Sequence, residues 1–358
     1  MGVLEFKARL ETARWPLELE MLSELSGLHT DEASLLAQEW AEWSHSRLRQ
    51  LLKQLVQVNE KDGTLEFEVV FKFALRSTDG AARVLAVNGL RNSRDRTLIS
   101  FMIELLLYDD HIAVREAAAE ALAHFCVMAA DHRLHVHDDQ RLRRALYSIA
   151  NSSADPPNLK HLALEAVAVL EGPDVTELIK TAYKDERVDT RQSALRAMGR
   201  NGDSGWLNIV LSELDSPDTG IRYAGTIALG LLGNEEHVIT LGSLLDDQDL
   251  DVQMAAVGSL IQIGGAEAEV LLAAAMQSSE PSVSQAAAEG IQELMDAEAL
   301  LDPIPRKEVS ESGGLWGAPS NQGSKDLDER DGEKHTHGLA IDENIGLMDH
   351  DESEFGGW

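Results

Sequence analysis

Eight side chains between residues 124 and 139 have the chemistry of metal ligands: His124, Cys126, Asp131, His132, His135, His137, Asp138 and Asp139. Imidazoles and carboxylates together suit a divalent transition metal. Their order does not supply the H-x-x-x-H pair that sets two imidazoles on one helix turn. Cys126, the single cysteine, stands at a predicted helix end, where a lone thiol packs as a small apolar group. A polar loop is expected here, and no metal or other cofactor is assigned.

Other chemistries find no better support. The chain has no G-x-S-x-G, and no strand pattern that could precede a Gly-rich phosphate loop. Acidic pairs such as Asp246–Asp247 fall in predicted exposed turns, which do not favour a raised carboxyl pKa. A non-catalytic protein is expected.

Two segments could bind a protein. AMGRNGDSGW (197–206) places Arg200, Asp203 and Trp206 in or beside a loop, where an aromatic next to an arginine can anchor a partner. The same Trp206 could instead open the next helix and pack on its neighbour. The C-terminal LMDHDESEFGGW carries Asp351, Glu352, Glu354, Phe355 and Trp358, an acidic run ending in aromatics. Charge would steer such a motif and a ring would fill a pocket. It could equally dock on its own chain or only aid solubility.

Charge narrows the partner. Lys and Arg number 31 against 62 Asp and Glu, a formal charge of −31. Nucleic-acid binders gain affinity by neutralising phosphates, so DNA and RNA are excluded as expected partners. Residues 223–305 hold 14 Asp and Glu and no Lys or Arg, a field that favours a basic protein partner. Arg133, Arg141, Arg143 and Arg144 form a local basic cluster, read as a solvated helix face. One cysteine, no apolar run near 18–20 residues and no secretory pattern in MGVLEFKARLETARW give a cytoplasmic protein as the expectation. A monomer is expected.

These residues ride on a repeat. TRQSALRAMGRN from Thr190, IRYAGTIALGLLG from Ile221, VQMAAVGSLIQIGG from Val252 and VSQAAAEGIQEL from Val283 each start 31 residues after the last. Looser copies begin at Ala82, Val114 and Leu159; the step of 45 before Leu159 implies about 14 extra residues. Apolar positions at offsets 0, +4, +5 and +8 predict one face of a helix. The +4 column, Ala86, Ala118, Ala163, Ala194, Gly225, Ala256 and Ala287, stays small, as a close helix contact requires. Upstream, Ile179, Val210, Leu241 and Leu272 mark a first helix in each unit, and KDERVD (184–189), DSPDTG (215–220) and DDQDLD (246–251) mark the turn between. A helix pair cannot bury its own apolar face, so stacked pairs form an α-solenoid.

The Val/Ile-Arg opening followed by Ala-Ala-x-x-Leu-Gly resembles a HEAT repeat, in the short bacterial form also found in phycobilisome-lyase-type proteins. Arg83, Arg115, Lys160, Arg191 and Arg222 occupy its basic position, while Gln253 and Ser284 depart from it. The resemblance implies an all-α, armadillo-like right-handed superhelix of about seven or eight pairs. It implies structural pairing of the basic column with turn aspartates of the same or the next repeat, such as Asp79, Asp110, Asp189 and Asp218, exposed enough to contribute about 0–1 kcal/mol each. Deoxyhypusine hydroxylases resemble this fold and bind iron through His-Glu pairs, but no histidine here precedes a glutamate. HEAT-like DNA glycosylases need a basic concave face that this chain lacks.

The expected organisation is an N-terminal helical cap with a degenerate repeat (1–60), a repeat solenoid (61–301) and an acidic disordered tail (302–358). Leu17, Leu19, Met21, Leu22 and Leu25 are the expected buried positions of the cap. The expected function is a scaffold that binds protein through its concave face and tail. The alternative, from the resemblance alone, is a bilin-lyase-like enzyme or subunit.

Overall fold

The computed structural model describes Arg9 and residues 15–40, 43–61 and 64–301, with side chains given as far as Asp296 and Glu39 left aside. The chain divides into two units, Met1–Pro303 and Ile304–Trp358. The expected tail, with Asp351, Glu352, Glu354, Phe355 and Trp358, lies outside the described residues.

After α1 (Leu19–Ser23) the described chain forms eight helix pairs. They are α2 (Thr30–Trp40) with α3 (His45–Lys61), α4 (Glu68–Ala74) with α5 (Gly80–Leu90), α6 (Leu98–Tyr108) with α7 (Ile112–Ala130), and α8 (Val136–Ala150) with α9 (Pro157–Val167). Then come α10 (Pro173–Tyr183) with α11 (Val188–Asn201), α12 (Leu207–Glu213) with α13 (Thr219–Leu232), α14 (Val238–Ser243) with α15 (Leu250–Ile263), and α16 (Ala266–Ala275) with α17 (Pro281–Leu301). Among the described residues there is no strand, and no helix is long and apolar enough to cross a membrane.

Local chemistry sets the helix ends. Asp218 accepts from the Ile221 amide at 3.0 Å to start α13, and Asp249 accepts from Asp251 at 3.0 Å to start α15. Pro157 and Pro173 sit in the first turns of α9 and α10, where a missing amide is harmless. Gly202 closes α11 at φ +76°, a left-handed backbone suited to glycine.

Each second helix packs on the next, from α3 through α17, without a break. The first helices meet less regularly: α2 packs on α4, α6 on α8 and α14 on α16. The second helices thus form one continuous layer, here called the inner layer, and the first helices a less regular outer layer. One apolar core runs from Leu17 to Ala287, and every member of the +4 column is buried. At Gly225 an added Cβ would lie 3.3 Å from Leu214 Cδ2, so that column faces the first helix of its own pair.

Two expectations are corrected. Leu19 is exposed, because Leu17, Met21, Leu22 and Leu25 occupy the inward side of this short segment and leave it on the other. The extra residues before Leu159 do not make a polar loop. They lengthen α7 to 19 residues and α8 to 15, since ALAHFCVMAA keeps burying Leu122, Phe125, Cys126 and Met128.

Candidate functional site

The histidine-rich stretch is split by this lengthening. His124 and Cys126 lie within α7 rather than at its end; His132 and His135 lie in the short connection, and His137 in the first turn of α8. His135 caps α8, its ring nitrogen accepting from the His137 amide at 3.2 Å. No group of three or more His, Cys, Asp and Glu among the described residues could hold a metal. Cys126 is fully buried, and burial pushes its thiol up to about 12, so it offers no thiolate nucleophile at neutral pH. Within the basic cluster Arg141 donates to Ser100 Oγ at 2.9 Å and Arg143 to the Glu171 carbonyl at 2.7 Å, while Arg133 and Arg144 are exposed as expected.

Arg200 and Trp206 part company. Trp206 is 3% exposed and donates from Nε1 to Asn201 Oδ1 at 2.8 Å. It opens α12 against the core, so it is not a surface anchor. The reason is its place in a one-turn 3-10 segment that leads directly into a buried helix face. Arg200 is exposed on the last turn of α11, and its side chain makes no hydrogen bond or ion pair among the described residues.

Arg200 stands at offset +10 of its repeat, and offsets +2, +6 and +10 lie on the side of each second helix opposite its first helix. On α13 these positions are Tyr223, Ile227 and Leu231; Tyr223 and Leu231 are exposed and Ile227 half-buried. On α15 they are Met254, Gly258 and Gln262, and nothing lies within 4 Å of a Cβ built on Gly258. On α17 they are Gln285, Glu289 and Glu293, all exposed. On α11 Arg196 is held by Glu165 of α9 at 2.8 Å, and the Arg200 side chain has no such partner among the described residues.

The inner surface therefore reads in sequence as cation, apolar stripe, open shelf and anion. Leu231 leans over Gly199, where an added Cβ would meet its Cδ1 at 3.2 Å. The sequence did carry this signal: TGIRYAGTIALGLL has a single charge, so α13 is apolar on both sides. It was hidden because the same apolar letters also serve the core.

Family models for HEAT repeats match residues 98–128 and 207–292, the segments holding α6–α7 and α12–α17. These are HEAT repeats. No curated protein matches the chain by sequence. Among solved structures it is similar to E. coli YibA, at 15% identity and TM-score 0.40 over 72% of this chain and 89% of that one. It is similar to the CpcE–CpcF complex of phycocyanin lyase from Nostoc sp. PCC7120, at 17% identity and TM-score 0.43 over 63% and 94%. Importin beta follows at 13% identity and TM-score 0.42 over 80% and 44%. With every score below 0.5, the HEAT assignment rests on the matched repeats and on the geometry above.

A ladder of ion pairs holds the HEAT repeats in register and fixes the inner face. Arg83 donates to both oxygens of Asp109 at 2.8 and 2.7 Å and to the Ser77 carbonyl at 2.7 Å. Arg115 pairs with Asp155 at 2.7 Å and Arg191 with Glu213 at 3.2 Å. Gln253 and Ser284 keep only the contact within their own pair, to the Asp247 and Met276 carbonyls at 2.6 and 2.7 Å.

The pairing is structural and takes the second of the two expected routes, to the next repeat, but with acids other than those named. Each arginine reaches the acid of the next repeat, because stacked second helices bring the next turn beneath its first turn. Asp79 belongs to Arg49 of α3, at 2.6 and 3.2 Å, and Asp218 caps α13. The ladder is also more buried than expected, with the Asp109 side chain only 5% exposed. Burial alone would raise the Asp109 carboxyl; hydrogen bonds from Arg83 and the His111 amide more than reverse this and hold it below its ordinary value.

Proposed function

We propose that this chain is a non-catalytic HEAT-repeat scaffold that binds a protein along its second-helix face. The observation that carries the reading is the stripe of exposed Tyr223 and Leu231 with half-buried Ile227, set between Arg200 and the anionic side of α17. An aromatic and two aliphatic groups on a rigid helix suit a partner's apolar residues, and the flanking charges fix its direction. A segment that is acidic at its α11 end and basic at its α17 end fits this order. The acidic C-terminal run with Asp351, Glu352, Glu354, Phe355 and Trp358 is proposed, from its sequence, as a second contact.

The test is affinity capture on the full chain beside its Tyr223→Asp/Leu231→Asp variant. A stoichiometric protein held by the first and lost by the second supports the reading, provided the two melt alike. Equal capture by both removes the face from the proposal. The bilin-attachment alternative has only the shared repeat in its support; visible absorbance from a bound chromophore would revive it.

A further inference from the structure

The outer layer has an opening of its own. α4 and α6 do not pack closely on each other, although α2 packs on α4 and α6 on α8. Between them lies a cleft of about 560 Å3, floored by Val69, Phe73, Leu98 and Leu105 and edged by Phe101 and Tyr108. The helix α6, LISFMIELLLY, has one charged residue, Glu104. A helix apolar all round calls for cover on every side, yet Phe101 is 43% and Tyr108 76% exposed. The first helix α10 instead keeps charge outside, with exposed Glu177 and Lys180.

Two charges on the lining are unengaged. The side chains of Arg76 and Glu104 make no hydrogen bond or ion pair among the described residues, whereas Lys72 is held by Glu68 and Asp95 at 2.5 Å each. A surface with a projecting aromatic and a cleft, one free cation and one free anion, is complementary to itself. A twofold axis through the midpoint of Arg76 and Glu104 exchanges the two positions, so each meets the opposite charge on the other copy.

Repulsion between two chains of charge −31 is weaker here than at the C-terminal repeats. Residues 65–111 hold seven acids and six bases, against 14 and none in 223–305. We infer that this cleft is the contact between two copies of the chain, related by a twofold axis. The dimer replaces the monomer expected from the sequence and leaves both second-helix faces open for a partner.

Sedimentation velocity on the full chain over about 1–100 µM tests it. A dimer fraction that rises with concentration is expected. Phe101→Asp should give monomer with an unchanged melting temperature, since that ring is already half in water. Arg76→Glu and Glu104→Arg alone should each weaken the dimer about tenfold by placing like charges together at two symmetric contacts; combined, they should restore it. Monomer across the whole range overturns the inference and leaves the cleft to a helix of another protein. A dimer indifferent to Phe101→Asp and to the charge exchange overturns it as well, placing the contact elsewhere.

Discussion

Arg222 of α13 grips Asp247 of the next repeat with both arms of its guanidinium, Nε to Oδ2 and Nη2 to Oδ1, at 2.8 Å each. Its remaining arm donates to the Ser216 carbonyl at 2.9 Å. One side chain thus ties the turn of its own pair to the turn of the following pair, and both partners are largely buried. Bidentate geometry of this kind fixes orientation as well as distance.

Removing one partner should therefore hurt more than removing both. Asp247→Ala leaves a guanidinium in a confined site without its carboxylate and is expected to destabilise by about 3 kcal/mol. Arg222→Met with Asp247→Leu should cost less than Asp247→Ala alone. Urea unfolding of the three proteins decides the order, and equal losses would make the pair a surface ornament.

The same carboxylates make stability depend on pH. Hydrogen bonding from Arg222 is the largest influence on Asp247 and lowers it below 3.8, despite burial acting the other way; Asp79 and Asp109 are lowered too. A carboxyl depressed in the folded state contributes its stability above its unfolded pKa, near 3.8, and loses it as pH falls through the folded value. The stability gap between wild type and Asp247→Asn should hold from neutral pH down to about pH 4 and close below that. A gap that widens in acid would contradict the assignment.

Helix spacing in the inner layer rests on small residues. A Cβ on Gly230 would meet Ser259 Oγ at 2.5 Å and its Cα at 2.9 Å, and one on Gly199 would meet the Ala228 Cα at 2.8 Å. Backbone cannot turn aside, so Gly230→Ala is expected to destabilise by about 1–3 kcal/mol through overpacking. Gly258→Ala, with open space around it, should be neutral or stabilising in a thermal melt, since alanine is the better helix former.

Much of this fold was legible because it repeats. A period of 31 and the +4 column announced the helix pairs, and Arg49 with Asp79 shows the degenerate first repeat obeying the same rule. What one chain's letters did not reveal was which neighbour each arginine meets, since pairing within a repeat and pairing to the next use the same residues. Trp206 showed the opposite weakness: a large ring beside an exposed arginine has the look of an anchor until its indole is seen bonded to Asn201 inside the core. Tyr223, Ile227 and Leu231 were missed because periodicity reports an apolar face without saying whether a neighbour covers it.

Burial of Cys126 yields a simple chemical check. With its thiol raised to about 12 and no surface exposed, a disulfide reagent such as DTNB should label the native protein only as fast as it opens. Labelling should accelerate with Gly230→Ala in step with the loss of stability. Rapid stoichiometric labelling of the native chain would mean that α7 is not packed as described.

Photo-crosslinking tests the central claim most directly. Benzoylphenylalanine in place of Ile227 samples the second-helix face, and in place of Ile239, exposed on the first helix α14, it samples the outer layer of an adjacent repeat. In native lysate, position 227 should yield one discrete protein adduct, abolished by Leu231→Asp, while position 239 yields none. Adducts of equal strength from both positions, or adducts only from 239, would contradict a scaffold that binds its partner on the inner face.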